Sequence, residues 1–120
     1  MNVILRKAEA ADIPFLREML YEAVFWRARA NKPSLAAGLA DPEVSKSLAG
    51  WGTRAGDTAV VAAVDAVPVG AACYRYWTAD NFINGYINEN TPVLVIAVHR
   101  DYRRRGIGRK MIAWLIDIAA

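Results

Sequence analysis

The sequence predicts an α/β fold in which helices pack on a mixed sheet in the order β-α-α-β-β-β-α. Three patterns predict it: an apolar segment with helical period near the N-terminus, two β-like runs around a tight turn, and an almost continuous apolar run followed by an amphipathic helix. The chain has 120 residues, which fits a single domain over residues 1–120.

The N-terminal half is predicted to form one strand followed by helices. NVILRKA is a short strand, and the next segment has helical spacing with Asp12 as N-cap and Pro14 in the first turn, where backbone amides lack partners. A further helix is predicted around Leu35. Another begins after Asp41, with Pro42 in the first helical position.

The C-terminal half is predicted to contain three strands and a final helix. TAVVAAV and VPVGAACYRYW flank the turn DAVP, and Gly70 in the second run indicates a bulge or a close backbone approach. TPVLVIAV is apolar almost throughout, which is typical of a strand covered on both faces. Helical spacing from Ile107 onwards predicts the last helix.

Composition narrows the function classes. Hydrophobic residues make up 55% of the chain, which indicates a globular domain and not a disordered one. The formal charge of +3 favours anionic ligands without requiring nucleic acid. Cys73 is the only cysteine, so the expected compartment is the reducing cytoplasm. His99 is the only histidine, so no metal site is expected, and no apolar run is long enough to span a membrane.

The segment RDYRRRGIGRKMIAWLI, residues 100–116, places arginines and two glycines between an apolar strand and a helix. The first amides of a helix lack an internal acceptor and lie at the positive end of the helix dipole, so phosphates bind there. Gly106 and Gly108 remove side chains that would hold a diphosphate away from those amides. A P-loop needs Lys-Ser or Lys-Thr after Gly108, and a dinucleotide fingerprint needs a small residue where Met111 stands, so both are excluded.

This segment resembles the acetyl-CoA motif of the GNAT family of N-acetyltransferases, Arg/Gln-x-x-Gly-x-Gly/Ala directly after an apolar strand. The motif occupies residues 103–108 here and follows VLVIAVHRDY, and the start ILRKAEAADIPFLREML and the hairpin VDAVPVGAACYRY also match. The resemblance implies a GNAT-like acyl-CoA N-acyltransferase fold, short at its C-terminus. It also implies acetyl-CoA as cosubstrate and a primary amine, on a small molecule or a peptide, as acceptor.

The resemblance further implies which residues bind the cosubstrate. Amides of residues 104–109 would bind the CoA pyrophosphate, and backbone groups of residues 96–98 would pair with the pantetheine arm like an added strand. The amine would attack the thioester directly, while a main-chain amide near Val98 polarises its carbonyl. The implied cofactor-binding residues are Ile96, Ala97, Val98, Arg103, Arg104, Arg105, Gly106, Ile107, Gly108 and Arg109.

Three other interpretations of the basic segment stay open. A CoA-binding or dimerising module without catalysis is the first alternative. Nucleic-acid binding lacks support from a further basic stripe or stacking platform in the sequence, so no nucleic-acid or membrane partner is expected. A merely solvated charged face leaves the position of the two glycines before the helix unexplained.

No residue is assigned as the catalytic acid or base. The candidates are Glu89, Tyr86 and Glu22, although a surface or packing role is the simpler interpretation of each. Many related sequences have Glu where Val93 stands, which weakens the case for a base on this strand. His99 is interpreted as a solvated loop residue and Cys73 as a small buried hydrophobe. A further set of aromatic residues is interpreted as core, the last two also able to line an acceptor pocket: Trp26, Trp51, Tyr74, Tyr76 and Trp77.

The sequence stops at Ala120 inside a helical pattern, whereas family members continue into further strands and a helix. A strand and crossover helix without the return strand leave an open, hydrophobic sheet edge. A fragment, a naturally short protein or a second copy over the edge would each account for this. We therefore expect homo-oligomers formed through the open sheet edge, or poor solubility.

Overall fold

The computed structural model describes residues 2–25, 33–54, 56–83 and 86–119. These residues form four strands and four helices: β1 (Val3–Lys7), α1 (Ile13–Phe25), α2 (Leu35–Ala40), α3 (Pro42–Ser47), β2 (Thr58–Val64), β3 (Val67–Arg75), β4 (Val93–Val98) and α4 (Ile107–Ala119). Short 3-10 turns precede α1 (Ala10–Asp12) and follow β4 (Arg100–Tyr102). The predicted α/β fold class is confirmed, and the segment between residues 35 and 47 forms two short helices.

The strands form one sheet in the order β1-β2-β3-β4, and every neighbouring pair is antiparallel. The sequence predicts a mixed sheet, but the described strands form antiparallel pairs only. Each strand lies beside the next one in the chain and runs in the opposite direction. β2 and β3 join through Asp65 and Ala66, whose φ angles of 51° and 67° are those of a type I′ hairpin turn.

Gly70 lies at a bulge, as the sequence predicts. Ala62 pairs with Gly70 and Ala63 pairs with Pro68, so Val69 is an extra residue on β3. A Cβ at Gly70 would lie 3.1 Å from the carbonyl oxygen of Ala97 on β4. The glycine therefore lets β3 and β4 approach closely at the end of β4 that precedes the basic segment.

Helices cover both faces of the sheet. Adjacent strand residues point to opposite faces, and Val60 and Val61 of β2, both fully buried, accordingly belong to two different hydrophobic clusters. One cluster joins the sheet to α1 and α3 through Leu16, Met19, Leu20, Val44 and Leu48. The other joins it to α4 through Ile107, Met111 and Leu115. β4 contributes to both clusters, but its two faces are covered only in part: Ala97 is its one buried residue, and Leu94 is 45% exposed.

The start of α1 differs from the prediction. Asp12 ends the 3-10 turn that leads into α1, and its buried carboxylate accepts a hydrogen bond from the Glu9 amide at 2.8 Å. The same carboxylate pairs with both terminal nitrogens of Arg6, at 2.7 and 2.8 Å. The role predicted for Asp12, capping α1 directly, is therefore wrong because the acid closes the preceding turn and ties it to β1.

A buried ion pair fixes the loop between α3 and β2. Arg75 Nε donates to Asp57 Oδ1 at 2.9 Å, and both side chains are almost fully buried. The Arg75 guanidinium also donates to the carbonyl oxygens of Ser47 and Gly50. One cation at the end of β3 thus holds the C-terminal end of α3 in place.

Candidate functional site

The outer edge of β4 presents alternate backbone groups. The His99 amide donates to the Val69 carbonyl at 2.7 Å. Hydrogen-bonded and non-bonded pairs alternate along an antiparallel ladder, so Ala97, Val95 and Val93 direct their backbone groups towards β3. The amides and carbonyls of Val98, Ile96 and Leu94 consequently point to the side of β4 that carries no strand among the described residues.

A cleft of about 320 Å³ lies beside this edge and is here called the Val98 cleft. It is lined by Glu22 and Ala23 of α1, residues 96–98 of β4, and Arg103. Arg103 Nε donates to the Val98 carbonyl at 2.9 Å, so a cation rests on the last outward carbonyl of β4. The cleft therefore joins an open strand edge to the start of the basic segment.

The basic segment makes a sharp turn into α4. Arg104 and Gly106 have φ angles of 64° and 78°, the left-handed region that favours glycine. The Lys110 amide donates to the Gly106 carbonyl at 3.1 Å, which makes Gly106 the residue before the first helical turn. The amides of residues 107–109 therefore have no acceptor within α4 and lie at the positive end of its dipole.

The space in front of Gly106 is open. A Cβ at this position would meet no described atom within 4 Å, whereas one at Gly108 would lie 3.5 Å from Ile96 Cδ1. Gly106 thus borders free space, while Gly108 faces β4. Arg103, Arg104, Arg105 and Arg109 are all exposed around this turn, which concentrates positive charge there.

A second cleft, of about 340 Å³, lies at the other end of β4 and is here called the Asp41 cleft. Its polar side chains are Asp41 and Ser47, one at each end of α3. The apolar wall comes from α1, α3, β4 and one loop residue: Leu20, Val24, Phe25, Val44, Ile83, Val93, Leu94 and Val95. Because β4 lines both clefts, a ligand lying along its outer edge would pass from one into the other.

The three catalytic candidates lie in different surroundings. Glu22 lines the Val98 cleft. Tyr86 stacks on Phe82 with ring centroids 5.3 Å apart. Glu89 is exposed in the loop before β4 and lines neither cleft. The structure brings Glu22 to β4, but it does not bring the three candidates together.

Asp41 is the site residue that the sequence pattern did not reveal. Its sequence signal was that of a helix cap, and the Ser45 amide does donate to its carbonyl at 2.8 Å. The additional place of Asp41 in the cleft depends on how α3 packs beside α1 and β4, which no local motif encodes.

Neither Cys73 nor His99 lines either cleft. Burial raises the pKa of the Cys73 thiol to about 12; Asp57 adds to this effect and Arg75 opposes it. His99 is exposed, and its Nδ1 accepts a hydrogen bond from the Asp101 amide within the 3-10 turn. The interpretation of His99 as a loop residue agrees with this position.

The aromatic residues serve mainly in packing. Trp77 and Tyr74 are buried, whereas Tyr76 is 37% exposed, and Trp26 lies outside the described residues. Arg54 stacks over the Trp77 ring, its guanidinium carbon 4.7 Å from the centroid. Burial, and secondarily the charge of Arg75, lower the pKa of Arg54. Arg54 and Trp77 thus pack together at the α3–β2 loop. The aromatic residues Trp51, Tyr74, Tyr76 and Trp77 line neither cleft.

The described residues contain neither a cluster of metal ligands nor a helix able to cross a membrane. No group of three or more His, Cys, Asp or Glu side chains within the described ranges is arranged to hold a metal ion. No helix there has the length and apolar character that crossing a membrane requires.

Known proteins resemble this chain in sequence and in fold. Residues 15–120 match the Acetyltransferase (GNAT) family. A comparison with curated proteins found no match. Among solved structures, yncA from Salmonella typhimurium with its cofactor acetyl-CoA is 25% identical, with a TM-score of 0.59 over 98% of this chain and 62% of its own.

Two further structures extend the comparison. Ribosomal-protein-alanine N-acetyltransferase from Brucella melitensis is 25% identical, with a TM-score of 0.60 over 97% of this chain and 66% of its own. AAC(6')-Iy in complex with the bisubstrate analog CoA-S-monomethyl-acetylneamine is 20% identical, with a TM-score of 0.56 over 99% of this chain and 72% of its own. The chain therefore spans about two thirds of the length of these proteins.

The family match covers most of the sequence, including the basic turn into α4. The solved structures share the same fold over almost the whole chain. The chain belongs to the GNAT family of acetyltransferases.

Proposed function

We propose that this chain binds acetyl-CoA in the Val98 cleft and transfers its acetyl group to a primary amine held in the Asp41 cleft. The observation that carries the proposal is the continuity of three features along one line: open space at Gly106, the Val98 cleft, and the outward backbone groups of β4. A diphosphate, an amide-bearing arm and a thioester follow one another in acetyl-CoA in the same order.

The diphosphate is assigned to the turn into α4. Amides of residues 104–109 donate to its oxygens, and the surrounding arginines add charge; each charge-assisted hydrogen bond contributes roughly 1.5–3 kcal/mol. The open position in front of Gly106 fits this role because a side chain there would occupy the place of the phosphate. The residues present therefore suit the ligand.

The pantetheine arm is assigned to the outer edge of β4. Ile96 and Val98 direct their backbone groups outward, whereas Ala97 is bonded towards β3, so the first two carry the pairing. This refines the implied set of residues 96–98. Arg103 must release the Val98 carbonyl when the arm pairs there, which frees its guanidinium for the neighbouring phosphates.

The reacting end is assigned to Leu94, the next outward position of β4, which lines the Asp41 cleft. Acetyl-CoA, when bound, supplies an activated thioester carbonyl and a thiol leaving group. The outward amides of β4 orient and polarise that carbonyl, and the apolar wall of the cleft excludes water from it. Glu22 lies beside the arm in the Val98 cleft, and we assign it as the carboxylate that accepts a proton from the amine through water.

Calorimetry with acetyl-CoA tests the proposal directly. Gly106→Val places a side chain in the phosphate position, and we expect the Kd for acetyl-CoA to rise at least about tenfold. Gly52→Val is the matched control, since Gly52 also has a positive φ of 88° and open space around it, but lies in the α3–β2 loop. Equal affinity in both variants and the parent would overturn the assignment of the turn, and no binding by the parent would overturn the function.

We further propose that the chain self-associates through the open β4 edge and the apolar surface beside it. Leu94, Ile112 and Ile116 are 45%, 37% and 62% exposed and border one apolar trough. A second copy offers the same edge and the same trough, so two copies can cover each other symmetrically. The edge groups would then be shared with the pantetheine arm, so acetyl-CoA should weaken the association.

Sedimentation velocity with and without acetyl-CoA measures this. We expect a dimer that Ile116→Lys dissociates, while Ile4→Lys, an equally exposed site on β1 at the opposite sheet edge, stays dimeric. A monomer at every concentration would contradict the association, and a dimer indifferent to acetyl-CoA would place the contact away from β4.

A further inference from the structure

The Asp41 cleft has a composition that restricts the acceptor. Its described lining is apolar except for Asp41 and Ser47, and Asp41 is the only ionisable side chain in it. We propose that the acceptor is a monoamine with an apolar body, such as an aralkylamine, whose ammonium group is held by the Asp41 carboxylate. This inference rests on the proposed function and goes beyond it by naming the class of amine and the residue that selects it.

The backbone holds Asp41 in a fixed position. Its amide donates to the Gly38 carbonyl of α2 at 3.3 Å, and its carbonyl accepts from Ser45 of α3 at 2.8 Å. The residue thus ends one helix and begins the next. A carboxylate anchored at both sides loses little backbone freedom when it binds a cation, which favours a specific contact over a diffuse attraction.

The apolar wall supplies the second half of the recognition. Val44 is buried beneath the cleft, while Val24 lies at its edge and is 50% exposed. A volume of about 340 Å³ is at the small end of the range for pockets that bind small molecules. One aromatic or branched aliphatic group attached to the amine would cover these side chains and displace water from them.

Charge excludes the opposite class of amine. A polyamine needs a carboxylate for each ammonium group, because an unpaired charge against an apolar wall is costly. The described lining offers one carboxylate, and the chain as a whole carries a formal charge of +3. Polycations such as spermidine are therefore disfavoured by both the local and the overall charge.

The reaction with such an amine balances in three steps. The bound ammonium first releases one proton through water to Glu22, which passes it to solvent, and the neutral nitrogen then attacks the thioester carbonyl carbon. A carbon–nitrogen bond forms as the carbon–sulfur bond breaks, and the sulfur leaves as the CoA thiolate. That thiolate takes up the second nitrogen proton, so one amide, one CoA thiol and one released proton result.

The test compares amines and variants, with phenethylamine as the apolar monoamine and spermidine as the polycation. Initial rates give kcat/KM for each amine at saturating acetyl-CoA, and NMR titration gives the Kd of phenethylamine independently of turnover. We expect kcat/KM for phenethylamine to exceed that for spermidine at least tenfold. Asp41→Asn should raise KM and Kd for phenethylamine about tenfold, leave kcat within about threefold, and leave the Kd for acetyl-CoA unchanged.

Two further variants complete the design. Asp117→Asn makes the same charge change on α4, on the opposite face of the sheet, and should leave every constant unchanged. Val24→Ser alters an exposed part of the wall and should reduce the preference for phenethylamine over a small polar amine, ethanolamine.

The outcomes separate the two proposals. If acetyl-CoA binds but spermidine is the better substrate, or Asp41→Asn leaves both KM and Kd for phenethylamine unchanged, the acceptor inference is wrong and the proposed function stands. If acetyl-CoA does not bind, the proposed function itself is wrong. Weaker phenethylamine binding in Asp41→Asn with intact acetyl-CoA binding supports the inference at any turnover rate.

Discussion

The two clefts share one strand, yet different parts of the chain build them. The Val98 cleft and the adjoining turn offer mainly backbone groups: outward amides and carbonyls of β4 and the first amides of α4. The Asp41 cleft offers side chains that come from two helices, a strand, a loop and the residue between α2 and α3. A backbone site depends on local geometry, whereas a side-chain site depends on how separate elements pack. Substitutions should therefore affect the two clefts differently.

The largest loss of stability is expected at the ion pair between Asp57 and Arg75, which supports the Asp41 cleft. Asp57→Asn leaves the Arg75 guanidinium buried without its counter-charge, which costs about 3–5 kcal/mol of unfolding free energy. Because Arg75 also donates to the Ser47 carbonyl, the wall of the Asp41 cleft should loosen first. Urea denaturation measures the stability, and KM for the amine should rise more than the Kd for acetyl-CoA.

Asp65→Asn is the control for that substitution. Asp65 is exposed in the β2–β3 turn with a positive φ, which Asn tolerates, so a change below about 0.5 kcal/mol is expected. If Asp57→Asn were as stable as this control, the ion pair would not support the Asp41 cleft.

A smaller effect is expected at Asp12, just before α1, a helix whose C-terminal half lines both clefts. The pKa of Asp12 is lowered to about 2, mainly by the hydrogen bond from Arg6. Burial of the carboxyl raises this pKa in part, and the hydrogen bond from the Glu9 amide lowers it further. A carboxyl whose pKa is lowered on folding stabilises the folded state at pH values above its ordinary pKa, near 4. This contribution to stability is lost as the pH falls from 4 to 2. Asp12→Asn should cost about 1–2 kcal/mol at neutral pH, discounted because Arg6 is partly exposed.

Denaturation at pH 7 and at pH 2.5 shows how the stability difference between the parent and Asp12→Asn changes with pH. The gap between parent and Asp12→Asn should shrink at the lower pH, where the parent carboxyl is partly protonated. A gap of constant size would show that the hydrogen-bond geometry matters and the charge does not. Both clefts should lose occupancy equally in this variant, since α1 borders each of them.

A third substitution is expected to affect only the Val98 cleft and the adjoining turn into α4. Arg103→Gln removes a cation beside the phosphates but keeps a donor for the Val98 carbonyl. We expect the Kd for acetyl-CoA to rise about fivefold at low salt, and the difference from the parent to narrow as salt screens the charge. Arg17→Gln, an exposed position of α1 that lines neither cleft, is the control. A loss of amine affinity in Arg103→Gln, with acetyl-CoA affinity intact, would reverse the assignment of the two clefts.

The same contrast explains what the sequence could predict. The Gly106 turn, the Gly70 bulge and the order of strands and helices follow from local patterns, because glycine position and apolar period act over a few residues. The pattern around Asp41 predicts a helix cap, which the structure contains, whereas the place of Asp41 in a cleft arises from packing between distant segments. The cap predicted at Asp12 is wrong because its carboxylate bonds Arg6 and the Glu9 amide together, and neither contact is visible in the helical pattern.

The smallest effect is expected at Cys73, whose side chain packs against the cluster beneath β4 but takes no part in either cleft. Burial raises the pKa of this thiol to about 12, so iodoacetamide should label the native protein very slowly and the urea-unfolded protein rapidly. Cys73→Ala should keep kcat within about twofold, because direct attack by the amine needs no acyl-thiol intermediate. A burst of CoA release before amine is added, abolished by Cys73→Ala, would contradict direct transfer and place the acetyl group on the protein.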